Sequence, residues 1–242
     1  MSATLTIARR ELRASFDTPV PYVVLCLGLP VLGLMLFQSS GGFWQANRAS
    51  MERLIGLLGN GIAVLAPVLT MRVMADERRS GTLEMLITLP VKDYQVILGK
   101  FLGTWLVLLA ALAFSVLFPV MMFKYPWNLG PLAWGPVGAG YLGLVLASAA
   151  AVALGLLISS FTESQVIAFI VTFILLFILF WVDGQNIPWE KPAAVLRFVS
   201  FEEHLGSMAR GLITTRDVLY FISITVLCLM GSFRALERRK WA

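Results

Sequence analysis

The chain has 242 residues, of which 58% are hydrophobic and only 14% are charged, and its mean hydropathy is +0.82. A soluble globular domain has about 45–50% apolar and about 25% charged residues, so this composition excludes an ordinary soluble enzyme and a disordered chain. The net charge of +5 would suit nucleic acid in a soluble protein, but in a membrane protein it reports which side of the bilayer each segment occupies. No nucleic-acid partner is therefore expected.

The N-terminal segment, residues 1–17, is predicted to form an amphipathic helix that lies on the inner membrane surface like an elbow. Its apolar residues lie near one face, and its arginines lie elsewhere. A plain positively charged anchor is an alternative that is compatible with this interpretation.

Six stretches without a charged residue predict transmembrane helices. Five of them have the roughly 18 residues that a helix needs to cross a hydrocarbon core of about 30 Å. The sixth has 16 residues and spans only if its flanking side chains extend to the interface. The six stretches are 18–37, 54–71, 101–123, 132–158, 164–182 and 218–233. The predicted fold class is therefore an all-α integral membrane protein with six transmembrane helices in one transmembrane domain, residues 1–242.

The distribution of cations predicts the topology. With the N-terminus inside, 12 of the 19 lysines and arginines lie in inner segments and 7 lie in outer segments. This bias favours both termini on the cytoplasmic side, with residues 234–242 as a basic cytoplasmic tail.

The inner segment between the second and third spans, residues 72–100, is the most informative loop. A cluster of mixed charges at 76–79 is followed by a short predicted helix that Pro90 ends, because the residue before a proline is pushed out of the helical region. The apolar face of this helix consists of Leu83, Leu86 and Ile87, and Glu84 lies in its first turn. The helix can dock on a partner or simply lie on the membrane with its charges solvated.

The fourth span carries small residues at intervals of four, which places them along one helix face. The series is Gly135, Ala139, Gly143, Ala147, Ala151, Gly155 and Ser159. Such a ridge lets another helix approach closely. The central residues Gly143, Ala147, Ala151 and Gly155 predict a helix-packing face within the chain, and a dimer seam or the lining of a transport path is the alternative.

The outer segment 183–217 is too long for a simple turn. Its apolar residues recur at roughly helical spacing, which predicts one or two helices at the outer interface. The single histidine, His204, lies there, and a structural or interfacial role is favoured over a ligand or a proton switch.

The spans predicted in this way contain no carboxylate, amine, guanidinium or imidazole, which argues against a proton-coupled carrier. No Walker A, HExxH or CxxC pattern occurs, so we expect no catalytic residue, no metal site and no cofactor on this chain. Any energy for uphill movement must then come from a partner, and the segment 72–100 is the natural place for it to dock.

The residues ADERRSGTLEMLITLPVKDYQVILGKFLG resemble the membrane subunit (permease) of type 2 ABC transporters, the ABC-2 family. The most specific piece runs from Glu77 to Glu84 and continues with Leu89-Pro90 and Leu98-Gly99-Lys100. The resemblance covers essentially the whole chain. The short chain is similar to permeases associated with gliding motility and to the one that serves maturation of nitrous oxide reductase.

The resemblance implies a bacterial inner-membrane exporter in which two permease chains, identical or paralogous, form the translocation path. Each chain would dock a separate ATPase subunit that carries ATP and magnesium, through a coupling helix near residues 82–89. The outer segment 183–217 would gate the exit. The residues implied in ATPase coupling are Glu77, Arg78, Arg79, Gly81, Thr82, Leu83, Glu84, Leu86, Ile87 and Pro90.

Two other functions stay open at this point. One is a non-transporting membrane module that passes an ATPase-driven change to an extracytoplasmic accessory protein. The other is a passive channel, although no ring-forming polar filter is visible in the sequence. The apolar spans suit a lipid, an amphipathic compound or a peptide equally, so the substrate cannot be read from them.

Overall fold

The computed structural model describes residues 3–23, 26, 28–38, 51–79, 93–124, 134–181 and 198–238. Within these residues all regular structure is helical and no strand occurs, so the predicted all-α class is confirmed. The helices are α1 (Ala3–Phe16), α2 (Val20–Val23), α3 (Leu29–Gln38), α4 (Met51–Thr70), α5 (Ala75–Arg79), α6 (Asp93–Ser115), α7 (Leu117–Lys124), α8 (Trp134–Phe161), α9 (Gln165–Trp181), α10 (Phe201–Ala209) and α11 (Thr215–Arg238).

Four helical segments of the described residues are long and apolar enough to cross a membrane. They are Glu52–Arg79, Asp93–Met121, Trp134–Phe161 and Thr215–Glu237, which match the second, third, fourth and sixth predicted spans. The last of them corresponds to the shortest charge-free stretch. Helix α11 nevertheless has 24 residues, because it continues beyond that stretch at both ends. The fifth predicted span corresponds to α9, which is apolar but has only 17 residues.

The first predicted span is represented by α2 and α3. Helix α3 begins at Leu29, and Pro30 lies in its first turn. A proline is tolerated there because the first N–H groups of a helix have no intrahelical partner.

Helix α8 lies at the centre of the bundle and contacts α4, α6, α9, α10 and α11. Its position follows from its small residues, both in the ridge and next to it. A Cβ atom on Gly140 would lie 2.7 Å from the side chain of Ile55 in α4, and one on Gly143 would lie 2.8 Å from the Met208 sulfur in α10. In a membrane, close van der Waals contact of this kind drives helix association.

The four central residues of the ridge are all buried inside the chain. Ala147 and Ala151 are fully buried, and a Cβ atom on Gly155 would overlap the side chain of Thr70 at the end of α4. The structure therefore places Gly143, Ala147, Ala151 and Gly155 in helix contacts of this chain.

Candidate functional site

The predicted coupling residues fall into two groups. Glu77, Arg78 and Arg79 lie in α5. The others, Gly81, Thr82, Leu83, Glu84, Leu86, Ile87 and Pro90, lie in 80–92, outside the described residues, as does the predicted coupling helix itself. What the structure describes is how the two ends of this segment are held, at Arg79 and at Asp93.

Two glycines bring α1 against the beginning of α6. A Cβ atom on Gly99 would lie 2.7 Å from Cγ2 of Ile7, and one on Gly103 would lie 2.6 Å from Cβ of Glu11 and 3.0 Å from the carbonyl oxygen of Ala8. Residues four apart lie on the same helix face, so the pair forms a smooth strip on α6. Any side chain there would push α1 away, and the glycines thus fix α1 directly on α6.

Lys100 lies between these glycines, about two turns into α6, and only 1% of it is exposed. Its Nζ atom lies 3.1 Å from Oε1 of Glu11 in α1 and 2.8 Å from Oε1 of Glu77 in α5. Nζ also donates a hydrogen bond of 2.8 Å to the carbonyl oxygen of Val73, just before α5. We call Lys100, Glu11, Glu77 and this carbonyl the Lys100 cluster.

The Lys100 cluster joins both ends of the segment 80–92. A buried ammonium is tolerated only when it is paired and hydrogen-bonded. Separating Lys100 from its partners would leave an unpaired buried charge, which is costly, so the partners are held in place. Glu77 lies before the segment, and Lys100 lies after it. The cluster therefore links α5, α6 and α1 at the place where the chain leaves and re-enters the bundle.

Helix α5 is also held on its other side. The hydroxyl oxygen of Ser159 in α8 accepts hydrogen bonds from the N–H groups of Met74 at 3.2 Å and Ala75 at 3.1 Å, at the beginning of α5. The side-chain amide of Gln165, in the first turn of α9, donates to Oδ1 of Asp76. The short helix that carries Glu77, Arg78 and Arg79 is thus attached to α8 and α9 as well as to the Lys100 cluster.

The chemistry of this arrangement is that of fixed charges and hydrogen bonds, which hold helices in register. Among the described residues, no group of three or more His, Cys, Asp or Glu side chains could hold a metal ion.

Sequence reasoning missed the role of Lys100. It was counted among the cations of the inner segment 72–100, whereas the structure places it in a helix that begins at Asp93 and buries it. The only local signal was its position directly after Gly99 in the run that resembles the ABC-2 family. Its partners at positions 11 and 77 are distant in sequence, and no spacing rule connects them.

A second polar site lies at the opposite end of the bundle, where α10 meets α11. Nδ1 of His204 lies 2.6 Å from Oδ1 of Asp217, and Nε2 lies 3.0 Å from the carbonyl oxygen of Phe198. The hydroxyl of Ser207 donates to the other carboxylate oxygen of Asp217, and the imidazole stacks on Tyr220 with a centroid distance of 4.0 Å.

His204 therefore has a structural role, since both ring nitrogens are occupied by partners within the chain. The turn between the two helices contains Gly211 at a φ of +88°, a backbone conformation that favours glycine. In the sequence, Asp217 is only the charged residue directly before the sixth predicted span. No spacing rule indicates that its carboxylate bonds to His204.

The sequence model described as ABC-2 family transporter protein matches residues 61–198, more than half of the 242-residue chain. The chain belongs to the ABC-2 transporter family. The matched region includes α5, the segment 80–92, Lys100 and the ridge of α8. A search of curated proteins found no match to this chain.

Family membership confirms the resemblance to the ABC-2 family and establishes a multi-pass membrane protein, while the similarity to the gliding-motility and nitrous-oxide-reductase-maturation permeases stays a prediction. The chain is a permease subunit of an ABC transporter, a membrane component that is typically non-catalytic, and membership implies association with an ABC ATPase.

Proposed function

We propose that this permease subunit works as an ATP-driven exporter and receives its energy from a separate ATPase through the segment 80–92. Two permease chains, identical or paralogous, would form the translocation path in a bacterial inner membrane, with both termini in the cytoplasm. ATP and magnesium would bind to the ATPase, and the short helix near residues 82–89 would dock on it. The observation that carries this proposal is the Lys100 cluster.

The cluster supports coupling because it makes the two ends of the segment move together. A loop whose ends were independent would absorb a push from a partner by bending. Here Glu77 and Lys100 are in direct contact at 2.8 Å, so a displacement of the segment would be delivered to α5 and α6 at once. Ser159 and Gln165 would carry it further to α8 and α9.

Helix α4 extends this path towards the other end of the bundle. A turn at 71–74 connects α4 to α5 within the apolar segment Glu52–Arg79. At its far end α4 packs against α10, and Glu52 lies 3.4 Å from Arg210. We assign α10, with the segment 183–217, to gating of the exit, since it lies on the helix that the loop would move.

The test is a pull-down of the tagged chain from its native host in mild detergent, with mass spectrometry of the partners. We expect an ATPase with a Walker A motif at about one copy per permease. Leu86→Asp places a charge on the apolar face of the predicted coupling helix and should abolish this co-purification, because burying an unpaired carboxylate is costly.

Ile213→Asp provides the matched control, since Ile213 is 58% exposed in the turn at the opposite end of the bundle. Both variants must insert into the membrane at the level of the parent. Retention of the ATPase by Leu86→Asp would remove the coupling assignment.

A non-transporting module is the second candidate, and one observation favours it. The buried contacts of His204 and Asp217 fix α10 on α11, so a movement of the bundle would be passed intact to a protein bound outside. An accessory protein captured in the pull-down, together with ATPase activity that no transported compound stimulates, would support this function over export.

A further inference from the structure

A groove with a volume of about 300 Å³ opens beside the Lys100 cluster, between α1 and the end of α4. Helix α1 contributes Arg10 and Ala14 to one wall, and the opposite wall contains Val68, Leu69 and Arg72. The groove thus lies between the amphipathic elbow helix and an apolar span.

The charged side chains in the groove differ in whether they have a bonding partner within the chain. Lys100 is shared by Glu11 and Glu77, and Asp76 accepts a hydrogen bond from Gln165. The side chains of Arg10 and Arg72 are exposed, and their guanidinium groups make no hydrogen bond or ion pair with any other residue that the structure describes. Two guanidinium groups on opposite walls are therefore available to an anion.

Guanidinium groups match the geometry of phosphate oxygens through paired hydrogen bonds. The groove holds three basic and three acidic side chains in all, so it offers a local place for a phosphate rather than a broad positive field. Any phosphate ester would satisfy the two arginines.

The apolar wall distinguishes a lipid from a free phosphate. Val68 and Leu69 lie in the last turns of α4, which continues away from the groove along a span. A phosphate from solution gains nothing from this surface, whereas an acyl chain is stabilised by covering it. The groove is large enough for a phosphate and its glycerol, with the acyl chains outside.

We propose that this groove binds a glycerophospholipid of the inner leaflet. Its phosphate lies between Arg10 and Arg72, and its glycerol and the beginning of an acyl chain lie against Val68 and Leu69. The bound lipid bridges α1 and α4, beside the Lys100 cluster that links α1 to α5 and α6. The site belongs to the permease alone and does not depend on the ATPase partner.

The test is native mass spectrometry of the delipidated full chain in detergent, titrated with dioleoylphosphatidylglycerol. The double variant Arg10→Gln/Arg72→Gln should weaken the tightest binding event by about tenfold or more, as expected for the loss of charge-assisted hydrogen bonds. Val68→Trp, which fills the groove and keeps both arginines, should weaken the same event.

Arg9→Gln/Arg13→Gln is the matched control, because it removes two charges from α1 that do not line the groove. It should change the affinity by less than about twofold, well within the scatter of exposed charges. Equal losses in both double variants would reduce the effect to general surface attraction and overturn the site. Unchanged binding in the groove variants would overturn it too.

Two further measurements distinguish a bound lipid from phosphate taken from solution and from a contact with the ATPase. Inorganic phosphate at millimolar concentration should not displace the lipid, and displacement would show that the groove takes phosphate from solution. Addition of the ATPase should leave the lipid bound. Loss of the lipid on ATPase addition, with loss of ATPase binding in Arg10→Gln/Arg72→Gln, would show a protein contact instead. Because the lipid titration uses the permease alone, its result is independent of the coupling proposal.

Discussion

At the scale of single residues, Lys100 connects α1 to α5 and α6, the helices on either side of the segment 80–92. A buried ion pair adds little net stability compared with apolar side chains of the same volume, but removing one partner is costly because it leaves the others uncompensated. Glu11 and Glu77 would then be two carboxylates in a partly buried place without their cation.

Lys100→Met should lower the stability of the chain by roughly 3–5 kcal/mol, the range for a broken buried pair. The measurement is the midpoint of thermal unfolding in detergent micelles, followed by size-exclusion chromatography. The triple variant that adds Glu11→Gln and Glu77→Gln should recover much of the loss, since no charge is then left unpaired. Arg79→Met, at an exposed position of α5, should behave like the parent. A Lys100→Met protein as stable as the parent would contradict the ion-pair interpretation.

At the scale of the helices, two features of the sequence were sufficient to predict packing. Small residues at intervals of four predicted a close-contact face on the fourth span, because a helix brings residues i and i+4 to the same side. Long charge-free stretches predicted spans, because the thickness of the bilayer sets a minimum length. Both are local rules, and the structure places the ridge in contacts with α4 and α10.

Other features of the helices could not be predicted because they depend on distant partners. Gly99 and Gly103 were part of the family-like run, but only the docked position of α1 shows that a backbone contact requires them. The length of α11 also could not be predicted, because its first and last turns contain charged residues, which a rule based on charge-free stretches assigns to loops.

Gly103→Leu should displace α1 from α6. The added side chain would begin 2.6 Å from Cβ of Glu11, closer than van der Waals contact permits. The displacement can be measured through Ala8→Cys, a position that is 6% exposed, in a background with Cys26 and Cys228 replaced by serine. Maleimide labelling of this cysteine should be slow in the parent and several-fold faster with Gly103→Leu, as its burial is lost.

Gly138→Leu is the control for this experiment, because no atom lies within 4 Å of a Cβ placed there. Labelling at position 8 should keep the parent rate in that variant. Equal rates in the Gly103 variant and the parent would show that α1 does not depend on the glycine strip.

At the scale of the whole molecule, the two polar sites lie at opposite ends of the bundle, and the segment Glu52–Arg79 (α4, the turn and α5) runs between them. Helix α4 begins beside α10 at Glu52 and is followed, after a turn, by α5 with Glu77 in the Lys100 cluster. Helix α4 has 20 residues and is about 30 Å long, the thickness of the hydrocarbon core of a bilayer. Because α4 packs tightly on α8, it has little room to bend, and a displacement of one end of α4 should displace the other end.

The last prediction measures this transmission. An environment-sensitive fluorophore on Ile213→Cys, in the background without the two native cysteines, would report on the turn after α10. In the complex with the ATPase, ATP should change its emission. Lys100→Met should keep the ATPase bound but strongly reduce this change, because the two ends of the segment 80–92 would no longer move as one. Co-purification of the ATPase with Lys100→Met separates failed docking from failed transmission. A full change in emission in that variant would show that the displacement is transmitted through α6 or α4 alone. The Lys100 cluster would then only hold α1 in place.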